Sequence, residues 1–320
     1  MSRMTFGRLL SVLLCIETTA WAAPPHAYVA NEGDGTVSVI DTDKDEVART
    51  LTVHGESGDK LQAALADRGE RTLFVVDAKN SQLVAVDLAS GQAKQRIAAG
   101  KSPEGATLSP SGKTIAVCGE DDNAVTFVNV STQKVTGSAP IQGKNPEHCE
   151  WSSDERWLLT SNENSDDVDV IDVKARKSSA LIRVGGHPRG IAILPGKHVA
   201  YIAQETTGGV DVVDFDQRKV LRSIPTGVRP AGAIATADGS RVFIANGGSA
   251  TVSVIDTGSN KVIADIPVGK RAWNMALSHN GKKLYVANGR SNSVTVIDTT
   301  TLKPVKEITV GGRPWGVQIP

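Results

Sequence analysis

Short apolar runs separated by turn residues dominate the chain from residue 26 to residue 320. Between Arg229 and Gly269, runs such as RVFIAN and TVSVID are bounded by Gly, Asp, Asn and Ser. Runs of this length that are rich in Val and Ile and lie between turn residues predict antiparallel β-strands. No segment after the N-terminus keeps an apolar period of 3.6 residues, so the pattern does not favour helices.

The pattern of strands repeats along the chain. YVANEGDGTVSVID at residues 28–41 returns as YVANGRSNSVTVID at residues 285–298, with eight of fourteen positions identical. The residue that closes this motif recurs about every 42 residues, at Asp41, Asp87, Asn129, Asp172, Asp214, Asp256 and Asp298. Four strands in a unit of this length are typical of a propeller blade. The sequence therefore predicts an all-β fold, a seven-bladed β-propeller of four-stranded antiparallel blades, as a single domain over residues 23–320.

The two ends of the repeat are incomplete in complementary ways. The first unit begins at HAYVAN, which aligns with a second strand, whereas the chain ends on GRPWGVQIP, the first strand of a unit. We expect this C-terminal strand to complete the N-terminal blade. Such closure joins the ring and removes an open sheet edge that would favour aggregation.

The repeat resembles that of the YVTN family of β-propeller proteins. The resemblance rests on YVANEGDGTVSVID, VFIANGGSATVSVID, LYVANGRSNSVTVID and the connections IPVG and GGRPWG, and it extends over nearly all of residues 27–320. Units two and three depart from it, with VVDAKN and AVCGED in place of YVAN. The stretch VGKRAWNMALSHNGKKLYVANG is most similar to the PQQ-dependent catabolism-associated β-propeller subgroup. This resemblance implies an accessory role in periplasmic alcohol oxidation, with a quinoprotein dehydrogenase or a cytochrome as partner; we predict no cofactor for the propeller itself.

Residues 1–22 differ from the repeat region. Arg3 and Arg8 precede the apolar run LLSVLLCI, and AWA at residues 20–22 supplies the small residues that a signal peptidase requires. The pattern predicts a cleaved secretory signal peptide and a periplasmic location. The apolar run is shorter than the roughly 20 residues that span a bilayer, so we predict no membrane span. Basic and acidic residues balance at 35 each, which disfavours nucleic acid as a partner.

Two cysteines lie in the predicted propeller. Cys118 belongs to the second strand of the third unit and Cys149 to the first strand of the fourth, so they occupy adjacent blades. An exported protein enters an oxidising compartment, where disulfides persist. A disulfide requires Cα atoms within about 7 Å, which adjacent blades permit. Two interpretations remain open from the sequence, a Cys118–Cys149 disulfide or two small buried apolar side chains.

The loops that enter the innermost strands converge at one mouth of the central channel. Their third residues are, in order, Ser57, Ser102, Asn145, His187, Arg229, Arg271 and Arg313. This basic arc is extended by Arg189, Trp273 and Trp315, whereas the other arc carries Glu104, Glu147, His148 and Glu150. Guanidinium groups suit a carboxylate and an indole can cover its apolar part, so these residues predict a site for a small anion or an acidic partner. The alternative is that the arginines only hydrogen-bond loop carbonyls and the tryptophans only fill space.

Catalytic and metal sites have weaker support. The chain contains no Gly-x-Ser-x-Gly motif, phosphate-binding loop, haem-attachment motif or His-Glu-x-x-His motif. His148, His187 and Glu147 could serve acid–base chemistry or hold a transition metal, but their spacing is not diagnostic. We therefore predict neither a metal site nor catalytic residues, and we favour a non-enzymatic binding or scaffold protein. The alternative is a hydrolase or isomerase similar to the propeller lactonases, acting on a small carboxylate.

Overall fold

The structure, a computed structural model, describes residues 26–53 and 60–320. These residues form twenty-eight β-strands in seven four-stranded antiparallel sheets, which confirms the predicted seven-bladed propeller. The predicted signal peptide, residues 1–22, lies outside the described residues, and so does Ser57. Within the described ranges, no helix is long and apolar enough to cross a membrane.

The strands follow one another along the chain with short turns between them. In chain order they are β1 (His26–Asn31), β2 (Thr36–Asp41), β3 (Glu46–Thr52), β4 (Leu61–Ala66), β5 (Thr72–Asp77), β6 (Gln82–Asp87), β7 (Gln92–Ala98), β8 (Pro103–Leu108), β9 (Thr114–Gly119), β10 (Ala124–Asn129), β11 (Lys134–Pro140), β12 (Pro146–Trp151), β13 (Trp157–Asn162) and β14 (Asp167–Asp172). The second half comprises β15 (Lys177–Arg183), β16 (Pro188–Ile193), β17 (Val199–Gln204), β18 (Gly209–Asp214), β19 (Lys219–Pro225), β20 (Pro230–Ala235), β21 (Arg241–Asn246), β22 (Thr251–Asp256), β23 (Lys261–Pro267), β24 (Ala272–Leu277), β25 (Lys283–Asn288), β26 (Ser293–Asp298), β27 (Lys303–Thr309) and β28 (Pro314–Gln318).

Each blade runs outward from the central channel. Blades 2 to 7 are formed, in order, by β4–β7, β8–β11, β12–β15, β16–β19, β20–β23 and β24–β27. The second and third strands are buried on both faces because neighbouring blades pack against them, which explains why their sequences read as nearly continuous apolar runs. The fourth strands are largely exposed and most bury a single apolar residue, such as Ile97 in β7 and Ile308 in β27, whereas β15 buries Ala180 and Ile182.

Blade 1 joins the two ends of the described chain. Its strand order is β28-β1-β2-β3, and β28 pairs antiparallel with β1, with Val317 opposite Val29. β28 also packs against β4 and β24, the innermost strands of the two neighbouring blades. The predicted completion of the N-terminal blade by the C-terminal strand is confirmed.

A buried carboxamide ends the second strand of several blades. Asn288 at the end of β25 donates from Nδ2 to the hydroxyls of Ser293 and Thr295 in β26, at 3.2 and 2.8 Å. The crossover from the previous blade rests directly on this carboxamide, because a Cβ added at Gly269 would lie 2.6 Å from Asn288 Cγ. The same arrangement recurs at Asn31, Asn162 and Asn246. It gives a physical reason for the Asn of YVAN and for the Gly of IPVG.

Cys118 and Cys149 meet at the interface between blades 3 and 4. Their Cα atoms are 6.4 Å apart, both side chains are buried, and the sulfur atoms are in bonding contact. The pair would link the second strand of blade 3 to the innermost strand of blade 4. This geometry fits the predicted disulfide, which remains a prediction for the protein in solution.

Removal of residues 314–320 should open the ring. β1 then loses its pairing with β28 and keeps only its pairing with β2. Trp315 and Val317 leave the packed core. We expect the truncated protein to melt at least about 10 °C lower or to aggregate through the open edge. Calorimetry and light scattering measure both effects, with a chain that lacks only residues 319 and 320 as control. A monomer with an unchanged melting temperature would contradict closure by β28.

Replacement of both Cys118 and Cys149 by Ala should lower the free energy of unfolding by about 3 kcal/mol, because a disulfide that closes a 31-residue loop restricts the unfolded chain. Urea titration of oxidised, reduced and double-variant proteins measures the effect. Alkylation in denaturant without reductant should modify no cysteine in protein that lacks residues 1–22. Two reactive thiols in that sample would favour the alternative of two buried apolar side chains.

Candidate functional site

Two rings of side chains surround the mouth of the channel, and a backbone hydrogen bond in every blade joins them. The N–H of the residue after each second strand donates to the carbonyl of the residue before each innermost strand, as Glu205 does to His187 at 3.0 Å. From blade 2 onward, the residues before the innermost strands, the first ring, are Lys60, Ser102, Asn145, His187, Arg229, Arg271 and Arg313. The second ring is Ala78, Glu120, Glu163, Glu205, Gly247, Gly289 and Glu32.

Lys60, and not Ser57, is the first-ring residue of blade 2. The N–H of Ala78 donates to the Lys60 carbonyl at 3.2 Å, as in the other blades. In the other blades the first-ring residue is the third residue of the loop, counted from the loop glycine. This count does not hold in blade 2 because the first unit is longer than the others, with a step of 46 residues from Asp41 to Asp87. The basic arc therefore continues past Arg313 to a lysine.

The first ring has an unusual backbone conformation. All seven members have positive φ, between 46° and 78°. Gly and Asn adopt this region at the lowest cost, yet only blade 4 uses one of them, Asn145. The turn therefore does not account for three consecutive arginines, which indicates that their side chains have another role.

Arg189 is the centre of a buried ion-pair network. It stands at the second position of β16 with 8% of its surface exposed, and its Nε donates to Glu205 Oε2 at 2.8 Å. Its Nη1 contacts Oε1 of Glu147, which is fully buried. Arg229 donates from Nε to the other oxygen of Glu205 at 2.8 Å. Burial acts to raise the pKa of Glu205, but these two guanidinium groups outweigh it and hold that pKa below its usual value.

His187 faces the same carboxylates. Its Nδ1 lies 2.8 Å from Glu163 Oε1 and 4.0 Å from Glu205 Oε2. Within the described ranges, these three side chains form the one group of His, Cys, Asp or Glu residues whose ligand atoms all lie within 4.8 Å. A metal ion there would compete with the two guanidinium groups already paired with Glu205. The set considered from the sequence, His148 and His187 with Glu147, does not form such a group.

Blade 3 contributes two further carboxyl groups, Glu104 and Glu120. Burial, together with the hydrogen bond and the negative charge of Glu104, raises the pKa of Glu120 to about 8. The Ser102 hydroxyl donates to Glu120 Oε2 at 3.0 Å. At neutral pH Glu120 is therefore mostly protonated.

Arg271 and Arg313 are not paired with a described carboxylate. No described carboxylate oxygen lies within 4.0 Å of either guanidinium group. Arg271 stacks over Trp273, with its Cζ 3.9 Å from the ring centre, and the Arg189 Cζ lies 5.2 Å from the same ring. Burial and the positive charges of Arg229 and Arg189 lower the pKa of Arg271. This part of the mouth therefore concentrates positive charge.

The second predicted indole, Trp315, stacks on His148 across the channel. Their ring centres are 5.6 Å apart and the ring planes differ by 20°. Because Trp315 belongs to blade 1 and His148 to blade 4, the stack spans the lumen. Burial lowers the pKa of His148, so its ring is neutral at pH 7. Both predicted indoles thus contact protein side chains, which take up part of the surface predicted to cover a ligand.

The carboxylates of the second ring were not among the residues predicted from the sequence. Glu120, Glu163 and Glu205 follow the end of the second strand, at the repeat position where blades 6 and 7 have glycine. Alignment of the residue after the Asn of YVAN would have found them. Glu150 was assigned from the sequence to the acidic arc at the mouth, but it lines the channel at its other end.

Known proteins share this architecture. A family profile described as YNCE-like beta-propeller matches residues 24–275, whereas no curated protein sequence matches significantly. The solved structure of Kuenenia stuttgartiensis hydrazine synthase has a TM-score of 0.76 and 19% identity, covering 90% of this chain and 99% of that chain. A functionally unknown protein from Desulfotomaculum acetoxidans has a TM-score of 0.76 and 15% identity, covering 92% and 98%. Dihydro-heme d1 dehydrogenase NirN in complex with DHE has a TM-score of 0.68 and 16% identity, covering 93% and 75%. At these identities the likeness concerns the fold alone.

Replacement of Glu205 by Gln should destabilise the protein by at least about 2 kcal/mol, because it leaves Arg189 buried without this counter-charge. Since the pKa of Glu205 is lowered on folding, its contribution is present above the unfolded carboxyl pKa and is lost as the pH falls through the lowered value. Urea titrations from neutral to acidic pH should therefore show a gap between wild type and variant that closes at low pH. The matched control is Glu46→Gln on the exposed strand β3. Equal effects of the two variants would show that Glu205 does not stabilise the network around Arg189.

Proposed function

The chain belongs to the YNCE-like β-propeller family, and from this premise we propose that it is a non-enzymatic binding protein whose channel mouth holds a carboxylate. The proposal rests on a contrast between the arginines of the basic arc, some of which are paired with carboxylates while others are not. Glu147 and Glu205 pair with Arg189 and Arg229, while no described carboxylate pairs with Arg271 or Arg313. Guanidinium groups at this density favour a ligand that brings negative charge.

The proposed ligand is a small carboxylate that sits over the mouth between blades 7 and 1. Arg271 and Arg313 would donate to its oxygens, and each charge-assisted hydrogen bond contributes about 1.5 to 3 kcal/mol. Lys60 in the next blade would add long-range attraction. The first-ring backbone supports this role, because the turn does not require arginine where arginine occurs.

We propose that this binding takes place in the periplasm. The N-terminal sequence supports export to the periplasm, and the resemblance to PQQ-dependent catabolism-associated propellers supports an accessory role in quinoprotein alcohol oxidation. In that setting the partner is a periplasmic dehydrogenase or a cytochrome. An acidic surface of such a partner would present the same carboxylate chemistry as a small ligand.

The geometry does not favour the alternative of a hydrolase or isomerase. That mechanism takes His148 or His187 as general acid or base and Glu147 as its carboxylate partner, but His187 Nδ1 contacts Glu163 Oε1 at 2.8 Å. Glu147 Oε1 contacts Arg189 instead, and it lies 3.7 Å from His148 Nε2. A carboxylate held by a buried guanidinium is a poor base, because the paired charge disfavours uptake of a proton.

Replacement of Arg271 and Arg313 together by Gln should weaken the binding of a small carboxylate at least about tenfold, a loss of roughly 1.4 kcal/mol. Isothermal titration with succinate and with benzoate measures the effect. The matched control replaces two exposed lysines of outer strands, Lys219 and Lys261, by Gln, which changes the net charge equally. Equal binding by both double variants, each with an unchanged melting temperature, would assign the arginines to loop structure.

A further inference from the structure

A second cavity occupies the end of the channel that lies away from the mouth. Its volume is about 330 Å³, and the third to sixth residues of the innermost strands form most of its wall. We call it the lower chamber. The His148–Trp315 stack lines its inner end, between the chamber and the charged residues of the mouth.

Most of the side chains that line the lower chamber are apolar, while backbone and polar side-chain atoms supply much of its exposed surface. The larger apolar side chains include Leu65, Ile191, Ile234, Met275 and Val317. Glycine at the third position of several innermost strands lets neighbouring innermost strands approach closely, because a Cβ on Gly190 would lie 2.5 Å from the Ala231 carbonyl oxygen. The volume is at the lower end of the range of small-molecule sites in proteins.

Glu150 is the one acidic group of this wall. At the same position of the other six innermost strands stand uncharged residues, namely Leu65, Thr107, Ala192, Ile234, Ala276 and Gln318. The lining residues include no lysine or arginine, and their other titratable side chain is His148. Cys149, which also lines the chamber, is in contact with Cys118, its partner in the predicted disulfide.

No opposite charge faces Glu150 from the strands around it. β12 packs against β8, β9, β13 and β16, whose charged side chains are Glu104 and Arg189. Both stand at the second position of their strands, at the mouth, where Arg189 is already paired with Glu147 and Glu205. Burial raises the pKa of Glu150 to about 8. A carboxyl group in such a place gains most from a ligand that brings a positive charge.

We infer that the lower chamber binds a small hydrophobic organic cation of the alkylammonium class, with its charged end at Glu150 and its hydrocarbon part against the apolar wall. An anion would find no basic group there. An uncharged ligand could hydrogen-bond to groups such as Thr107 and Gln318, but ionisation of Glu150 would not strengthen its binding. This site is distinct from the carboxylate site proposed at the mouth and does not depend on it.

Binding of the cation couples to loss of the Glu150 proton to solvent. Below about pH 8 only a fraction of the protein has an ionised Glu150, and the apparent affinity falls with that fraction. Hexylammonium should therefore bind about thirtyfold more tightly at about pH 9 than at about pH 6.5. The neutral ring of His148 adds no opposing titration in that interval, because its pKa is lowered from an already acidic value.

The experiment compares hexylammonium, 1-hexanol and hexanoate by isothermal titration at both pH values. These probes share a chain length and differ in charge. Glu150→Gln should bind hexylammonium at least about tenfold more weakly at about pH 9 and remove its pH dependence. Glu120→Gln is the matched control, because Glu120 also titrates near pH 8 but lies at the mouth, and it should keep the wild-type pH dependence.

Three results would overturn the inference. They are equal affinity for hexylammonium and 1-hexanol at about pH 9, an unchanged affinity in Glu150→Gln, and loss of the pH dependence in Glu120→Gln. The Glu150→Gln variant should fold normally, because the carboxyl group it replaces is already protonated at neutral pH, and its melting temperature checks this. If hexanoate binds and this binding disappears in the Arg271 and Arg313 double variant, hexanoate binds at the mouth and not in the lower chamber.

Discussion

The crossovers into blades 1, 4, 5, 6 and 7 are each held by a polar contact with the next blade, and the first ring depends on that contact. In blades 4 and 5, an aspartate of the third strand accepts the N–H of the crossover glycine, as Asp169 does from Gly143 at 2.9 Å and Asp211 from Gly185 at 2.7 Å. In blades 6, 7 and 1 a carboxamide or a hydroxyl accepts it. The second residue after each of these glycines belongs to the first ring. The contact therefore fixes the position of the first-ring residues in these blades, whatever their charge.

A rigid mouth allows charges to gather at a density that a mobile loop would not tolerate. Four of the seven blades place a basic or imidazole group in succession along one arc, and a lysine continues it. Glutamates of the second ring pair with only some of these groups. Glu205 pairs with Arg189 of its own blade and with Arg229 of the next blade, and Glu163 contacts His187. No described carboxylate oxygen lies within 4.0 Å of the Arg271 or Arg313 guanidinium group. Pairing within and between blades therefore distinguishes structural arginines from available ones.

The fold was predictable because the repeat is local: each unit carries its own turns and its own apolar runs, and several end their second strand in Asn. The charged network was predicted only in part. Arg189 and Glu147 were identified by position, but the contact between them crosses a blade boundary. The pairing of Arg189 with Glu205 depends on side-chain directions that periodicity does not report. Lys60 was missed because the first crossover is longer than the repeat. The Trp315–His148 stack joins residues three blades apart, and no spacing in the sequence signals such a contact across a lumen.

Ring closure also sets the order in which the protein can be completed during synthesis. β1 is synthesised before the other described strands and its partner β28 after them, so blade 1 cannot be completed until β28 has been made. Blades 2 to 7 are each contiguous and can form as they emerge, whereas the pairing of β28 with β1 closes a loop that spans almost all of the described residues and is slow for that reason. Until then the nascent chain retains an unpaired edge that a chaperone could hold. A propeller built in this way delays its own native state until β28 is available.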